Sequence, residues 1–281
     1  MSEIVEPGLY PQLTAEEYHA QRTSLSSTGA RTMLKAPALY RYEQDHPQPR
    51  RDTFDFGTAA HKLVLGDGPE LVAVEAPDWR TKAAREERDA VADAGGVALL
   101  ASDYDRVHEM ADVIRRHPIA SALFAAGNGR PEQSLFWRDE RTEIMRRARL
   151  DWLPNPRDGR LIVADYKTTV SAHPEALARA VDTYGYHQQA AWYLDGVRAL
   201  DLDEKPAFLL VFQEKTAPFL ITVVELDMPT LRIGAAKNER ALDMYRVCVE
   251  TGRWPGYVPE HEPFYLSLPA WALNRDTEEY L

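Results

Sequence analysis

Asp165-Tyr166-Lys167 sets a carboxylate and an ammonium two residues apart. In a β-strand such residues project from the same face. The run Arg160-Leu161-Ile162-Val163-Ala164 upstream is largely apolar, so residues 160–167 read as a buried central strand that turns polar at its end. A carboxylate beside an ammonium suits metal-assisted phosphodiester hydrolysis. The carboxylate holds a divalent cation, and the lysine orients or helps deprotonate the attacking water and offsets phosphate charge. The same tripeptide could equally be a surface ion pair.

Asp151 strengthens the chemical reading. It closes the strand pattern of residues 143–153, and neighbouring strands lie roughly 4.8 Å apart, so Asp151 and Asp165 could share one cation. Arg147 and Arg149 alternate onto the face of Asp151 and could meet phosphate oxygens. Otherwise Asp151 opens the turn before Pro154 and the arginines are solvated. Gln189 and Tyr193 stand at i, i+4 and share a helix face, which ordinary packing also explains. His61 lies among small and apolar residues, where a histidine is more often a hydrogen-bonded core residue than a ligand. Imidazole suits manganese better than magnesium.

These residues need a scaffold. Residues 1–23 read as an irregular arm. Leu25-Ser26-Ser27-Thr28 precedes a short helix, with Ser26 or Ser27 as N-cap and Pro37 as its limit. Residues 47–52 read as a loop, residues 56–65 as a helix entered through Gly57, and residues 80–117 as helical with a break near Gly95-Gly96. Strands follow at 133–138 and 143–153, joined by the polar turn Asp139-Glu140-Arg141-Thr142. Pro154, Pro156 and Asp158-Gly159 mark the next turn. After the 160–167 strand come a long helix over 175–200 and strands at 207–213 and 219–225. A last helix spans 229–250, capped by Asp227, with Gly252 past its end. The tail 254–281, rich in Pro and aromatics, should wrap the domain. The order β-β-β-α-β-β-α predicts an α/β sandwich around a mixed sheet. Residues 1–120 form an N-terminal helical elaboration of the same domain, including the His61 helix, and residues 121–281 form the core with its tail.

With 281 residues the chain can bury a sizeable core, and 44% apolar and 27% charged residues are ordinary for a globular protein. No apolar run approaches the roughly 18–20 residues a membrane span requires. The N-terminus lacks the basic start and apolar core of a signal peptide, so the expected location is the cytoplasm. A single cysteine, Cys248, excludes disulfide frameworks, cysteine zinc sites and iron–sulfur clusters. The formal charge of −11 argues against non-specific nucleic-acid binding, although a local basic surface can lie inside an acidic protein.

Taken together the motifs resemble the exonuclease VIII (RecE-type) nucleases of phages and prophages, in the RecB-like branch of the PD-(D/E)XK superfamily. The resemblance rests on Leu25-Ser26-Ser27 with Lys35-Ala36-Pro37-Ala38-Leu39-Tyr40, Phe56-Gly57-Thr58-Ala59-Ala60-His61, Arg80-Thr81-Lys82-Ala83 and Glu132. It continues through Arg147-Ala148-Arg149-Leu150-Asp151, Asp165-Tyr166-Lys167-Thr168 and the segment from Gln189 through Tyr193 to Gly196. Each is weak alone; their order and spacing across roughly residues 20–270 make the match specific. The resemblance implies that His61, Asp151, Asp165 and the Tyr166 carbonyl bind Mg²⁺, with Mn²⁺ an alternative, and that Lys167 acts on the attacking water. Glu132 would support the metal directly or through water, and Gln189 and Tyr193 would support the site or contact DNA. It further implies 5′ to 3′ digestion of linear duplex DNA, a ring-like homotetramer, a partner annealing protein of RecT type, and a bacterial or phage-infected host cell. In such a ring Arg80, Lys82, Arg147 and Arg149 are the candidate DNA contacts. The Asp of the DxK stands where the superfamily often has Glu, which the RecB-like branch accepts. The lack of a four-cysteine cluster favours the exonuclease VIII branch.

Two other readings keep the fold and change what it does. One is a RecB-like endonuclease or single-strand nuclease in repair or CRISPR adaptation, and the other is a catalytically silent DNA-binding scaffold. The full acidic set beside Lys167 argues against the silent scaffold. A small-molecule metallohydrolase would want two or three histidine ligands, and only His61 stands out.

Overall fold

The computed structural model describes residues 3–46, 55–156 and 159–281. The loop expected over 47–52 and Asp158 of the expected turn lie outside them. The N-terminal third carries β1 (Gly8–Tyr10), α1 (Ala15–Ala20), β2 (Leu25–Ser26), α2 (Ser27–Lys35), α3 (Pro37–Asp45) and α4 (Asp55–Leu65), then β3 (Leu71–Val74), α5 (Lys82–Asp93), β4 (Val97–Leu100), α6 (Ala101–Arg116) and α7 (Pro118–Leu123). The rest is β5 (Gly129–Arg138), β6 (Met145–Pro154), β7 (Ile162–Thr169), α8 (Pro174–Tyr184), α9 (Tyr186–Ala199), β8 (Ala207–Glu214), β9 (Ile221–Glu225), α10 (Met228–Thr251) and α11 (Ala270–Tyr280).

A seven-stranded mixed sheet runs β1-β5-β6-β7-β8-β9, with β2 beside β6. β5 and β6 form the expected hairpin, closed where Asp139 Oδ1 accepts from the Thr142 amide at 3.0 Å and its hydroxyl at 2.7 Å. β7 is central, antiparallel to β6 and parallel to β8. Its side chains face apolar layers on both sides, as a fully buried strand requires. On one face α9 lays Ala190, Trp192, Leu194 and Val197 across Leu135, Trp137, Leu150 and Phe212. On the other, α4 and α6 bring Ala59, Ala60, Val107 and Met110 onto Trp152, Ala164 and Tyr166. This is the helix-flanked mixed sheet expected from the sequence.

The structure departs from the sequence reading in four places. The arm is not irregular: β1 pairs with β5 at the sheet edge, and α1 begins in a Thr14/Glu17 capping box. The stretch 80–117 is two helices flanking a strand, because Val97–Leu100 pairs in parallel with Leu71–Val74. The long helix over 175–200 breaks at Gly185, which caps α8 in the left-handed conformation with φ 67°. The tail does not wrap the domain beyond its first residues. Trp254 stacks on Tyr40, and Pro255 accepts from the Ala38 amide, but Tyr265 is 93% and Trp271 69% exposed.

Candidate active site

Three strands and two helices meet at one end of the sheet, and the meeting depends on gaps in the β-ladder. Among the described residues, β6 pairs with β7 at one position only, Trp152 opposite Ala164. One residue earlier the ladder between β5 and β6 also lapses. Pro131 pairs with Trp152 and Gln133 with Leu150, but Glu132 and Asp151 do not pair. Glu132 takes φ 53°, an unusual conformation for a side-chain-bearing residue. The Tyr166 amide finds a partner in Asp151 Oδ2 at 2.9 Å. A side-chain carboxylate thus serves where a strand carbonyl otherwise would, and the strands stay open enough to admit other groups.

His61 reaches into this opening from α4. Its Nε2 lies 3.0 Å from Asp151 Oδ2 and 3.1 Å from the Tyr166 carbonyl, and its Nδ1 lies 3.7 Å from Glu132 Oε1. One ligand atom each from His61, Glu132 and Asp151 falls within 4.8 Å of the others. Asp165, fully buried, sits beside them. Its Oδ1 accepts from Gln189 Nε2 at 2.7 Å, and its Oδ2 lies 2.5 Å from Lys167 Nζ. That second contact lacks hydrogen-bond geometry, so a buried carboxylate oxygen keeps free lone pairs. An orphaned buried oxygen next to a nitrogen, two more carboxylates and a carbonyl is a donor set that fits a hard divalent cation, Mg²⁺ or Mn²⁺. β7 is pinned from behind: the Tyr166 hydroxyl donates to Gln213 Oε1 at 2.6 Å, and Gln213 Nε2 donates to the Met110 carbonyl at 2.9 Å.

The charges in this pocket are strongly coupled. Burial raises the Asp165 carboxyl, and the Asp151 charge raises it further, against the pull of Lys167. Burial also pushes on Asp151, but the His61 and Lys167 charges and the bonds from His61 and the Tyr166 amide outweigh it and hold it low. Burial works against protonated His61, yet Asp151 and Glu132 raise it to about 10. Lys167, despite burial, is held well above the usual lysine range by Asp165 and Asp151. It stands as a cation and a hydrogen-bond donor.

The pocket opens into a cavity of about 960 Å³ whose walls include His61, Glu132, Lys167, Gln189 and Tyr193. Tyr193 packs edge-on against Phe208 and lines the cavity beside Gln189. Of the residues selected from sequence, His61, Glu132, Asp151, Asp165, Tyr166, Lys167, Gln189 and Tyr193 come together. The four basic residues do not behave as a set. Arg147 is 6% exposed, and its guanidinium donates to the Gln21 and Ser24 carbonyls and the Ser24 hydroxyl. It ties the N-terminal arm to β6 instead of facing a ligand. Arg149 lines the cavity, but its Nε donates to Glu132 Oε2 at 2.6 Å and its Nη1 to the Leu13 carbonyl and Ser134 hydroxyl at 2.8 Å. It holds Glu132 in place. Arg80 and Lys82 lie away from the cavity, their side chains 91% and 86% exposed beside Asp78 and Glu86. The sequence reading did not select Arg31, Ser27, Thr28, Thr168 or Tyr186, which share the cavity wall. The one available signal was a hydroxyl pair at i−4 and i−3 from Arg31 on a predicted helix.

The model of a family described as a PDDEXK-like domain of unknown function (DUF3799) matches residues 26–263. A solved structure of a candidate exonuclease from Eubacterium rectale is 14% identical, covers 93% of this chain and 98% of its own, and superposes with a TM-score of 0.61, a likeness of fold. A second solved protein, SSO0001, is 18% identical over 67% of this chain and 84% of its own, with a TM-score of 0.29 that bears no weight. No curated protein matches the sequence.

Proposed function

Because the chain belongs to the family of PDDEXK-like domains, we propose that it is a metal-dependent exodeoxyribonuclease that hydrolyses one strand of linear duplex DNA. The observation that carries this reading is the convergence of His61, Glu132 and Asp151 on one point, with Asp165 and a protonated Lys167 beside it. His61, Asp151, Asp165 and the Tyr166 carbonyl would hold the cation, with Glu132 completing the set. A cation there would lower the pKa of a water and stabilise charge on the phosphate oxygens. The residues themselves do the positioning. Gln189 fixes one oxygen of Asp165 and leaves the other free. Lys167 donates to a phosphate oxygen or to the attacking water; held as a cation, it orients that water and does not take its proton. Arg149 locks Glu132 by one carboxylate oxygen and leaves the other turned toward His61.

The finer reading follows from the exonuclease VIII resemblance: Mg²⁺ as the cellular metal, 5′ to 3′ polarity, 5′-phosphorylated products, single-stranded tails passed to an annealing protein, and a ring-like homo-oligomer. Among the described residues no helix is long and apolar enough to cross a membrane. The deciding experiment digests end-labelled linear duplex DNA with Mg²⁺ and reads which labelled end is released first, beside a covalently closed circle and an Asp165→Ala control. Release from linear DNA alone, lost in the control, is the expected result. Cleavage of the circle would point to an endonuclease, and equal activity in the control would refute the site.

A further inference from the structure

The cavity has a second pole. Across from the acidic pocket its wall is built by the start of α2, where Ser27, Thr28 and Arg31 face the same space as His61 and Lys167. Arg31 Nη1 lies 3.1 Å from Ser27 Oγ, and Nη2 lies 3.1 Å from Thr28 Oγ1. The other cations of the cavity have carboxylate partners: Lys167 has Asp165, Arg149 has Glu132, and His61 has Asp151. Arg31 has none within ion-pair distance among the described residues. Its stem is also fixed in place. It packs against Gly185, the left-handed residue between α8 and α9, where any side chain would collide with Arg31 Cδ. Burial is the main influence on this guanidinium, and it disfavours the charge.

A half-buried, immobilised guanidinium without a counter-ion, bracketed by hydroxyls, is a site for an oxyanion. An arginine has five N–H donors in a fixed fork. Two are directed at the hydroxyls of Ser27 and Thr28, which keep their own O–H groups to donate outward. The remaining donors and these hydroxyls suit the oxygens of a phosphate. Lys167 and the carboxylate pocket already account for the phosphate that is cleaved, so the α2 wall is free for another.

We propose that Arg31, Ser27 and Thr28 form a second phosphate-binding subsite, which grips a phosphate of the substrate strand other than the one hydrolysed. The inference rests on the nuclease reading above. The phosphate has two possible sources, a monoester at the strand end or a neighbouring diester within it, and both present the same chemistry to the fork.

The test compares wild type, Arg31→Met and Arg31→Lys on linear duplex DNA with Mg²⁺, using 5′-phosphorylated and 5′-hydroxyl ends at several salt concentrations. The Arg31→Met variant should lower kcat/KM by about 10- to 100-fold, chiefly through KM, and reduce the salt slope by about one. Arg31→Lys should recover part of the loss, because it keeps the charge and loses the fork. If wild type also loses activity on 5′-hydroxyl ends while Arg31→Met is indifferent to the end, the source is the terminal phosphate. If wild type is indifferent to the end and Arg31→Met is still impaired, the source is internal. Arg31→Met within twofold of wild type on both substrates, with the same salt slope, overturns the subsite. Fluorescence anisotropy of labelled, 5′-phosphorylated single-stranded DNA with Ca²⁺ decides independently of turnover. Weaker binding by Arg31→Met supports the subsite and equal binding overturns it, even if an inactive wild type has already refuted the nuclease reading. Should Arg31→Met unfold below the assay temperature, Thr28→Val removes one hydroxyl and should weaken binding several-fold; unchanged binding would again overturn the subsite.

Discussion

Cation binding at this site should tighten as pH rises, and His61 is the reason. In the metal-free pocket His61 carries a proton because Asp151 and Glu132 surround it and hold it up at about 10. A metal-binding imidazole must be neutral, so each cation bound displaces that proton. At pH 7 the group lies three units below its midpoint, and at 1.36 kcal/mol per unit the proton withholds about 4 kcal/mol of intrinsic affinity. Between pH 6.5 and 8.5 this single group tightens the apparent Kd by about tenfold per unit. Isothermal titration calorimetry with Mn²⁺ over that range, in two buffers of different ionisation enthalpy, reads both the affinity and the protons released. His61→Gln should bind more weakly, and its affinity should change with pH by one logarithmic unit less per pH unit, with one proton fewer released. An affinity independent of pH, or the same proton release in His61→Gln, would show that His61 does not occupy the coordination sphere, and the ligand set would have to be redrawn without it.

Other substitutions separate holding the site from holding the fold. Arg149→Met frees Glu132 and should weaken Mn²⁺ binding about 10- to 100-fold with little change in unfolding temperature. Arg147→Met instead strips buried acceptors on Gln21 and Ser24 of their donor and should cost about 1–3 kcal/mol by urea denaturation, while the affinity of the folded protein for metal stays unchanged. The His61 shift also sets a stability trend in metal-free protein. A folded-state value of about 10 against the ordinary 6.5 contributes stability that is whole below pH 6.5 and is lost as pH rises through about 10. The contribution amounts to about 5 kcal/mol at most, so denaturation midpoints in chelator should fall across that window in wild type and less in His61→Gln. Gly234→Ala should destabilise by about 1–3 kcal/mol or more, because a Cβ on α10 would collide with the His187 carbonyl on α9. A wild-type denaturation midpoint in that variant would mean that the two helices pack less closely than described.

The parts of the site that follow strand periodicity were readable from sequence. Asp165 and Lys167 share a face because they are two apart in a strand, and Asp151 reaches them because its strand is the neighbour. What alternation could not supply was the break in the ladder. Nothing in Pro131-Glu132-Gln133 announces that Glu132 adopts φ 53° and turns its carboxylate toward His61. Arg147 and Arg149 have the same parity along β6, and periodicity treats them alike. They part company because β2 and the loop before it supply carbonyls to the first, while Glu132 lies within reach of the second. Those are tertiary facts. The same limit hid Val97–Leu100, whose strand character comes from its partner at Leu71–Val74, and the edge strand Gly8–Tyr10, which exists only because β5 is there to receive it.

The site and the architecture are bound together through Asp151. Its Oδ2 receives the Tyr166 amide and the His61 Nε2 within about 0.1 Å of the same distance, 2.9 and 3.0 Å. The carboxylate therefore helps join β6 to β7 at the point where backbone pairing stops, and it also faces the position a cation would take. Unpaired ladder positions, a positive φ at Glu132 and crowded carboxylates each work against folding. They survive because Trp152, Ala164 and Tyr166 bury against α4 and α6 beneath them, and because Tyr166 is anchored through Gln213 to α6. Local rules of strand pairing and charge separation thus fail together at one end of one sheet, where His61 and Lys167 also arrive. That coincidence is the physical mark of a site shaped for a ligand, and it explains how a chain of net charge −11 can meet a phosphate: the acidic groups are gathered to receive a cation, and Arg31 and Lys167 are left facing the cavity.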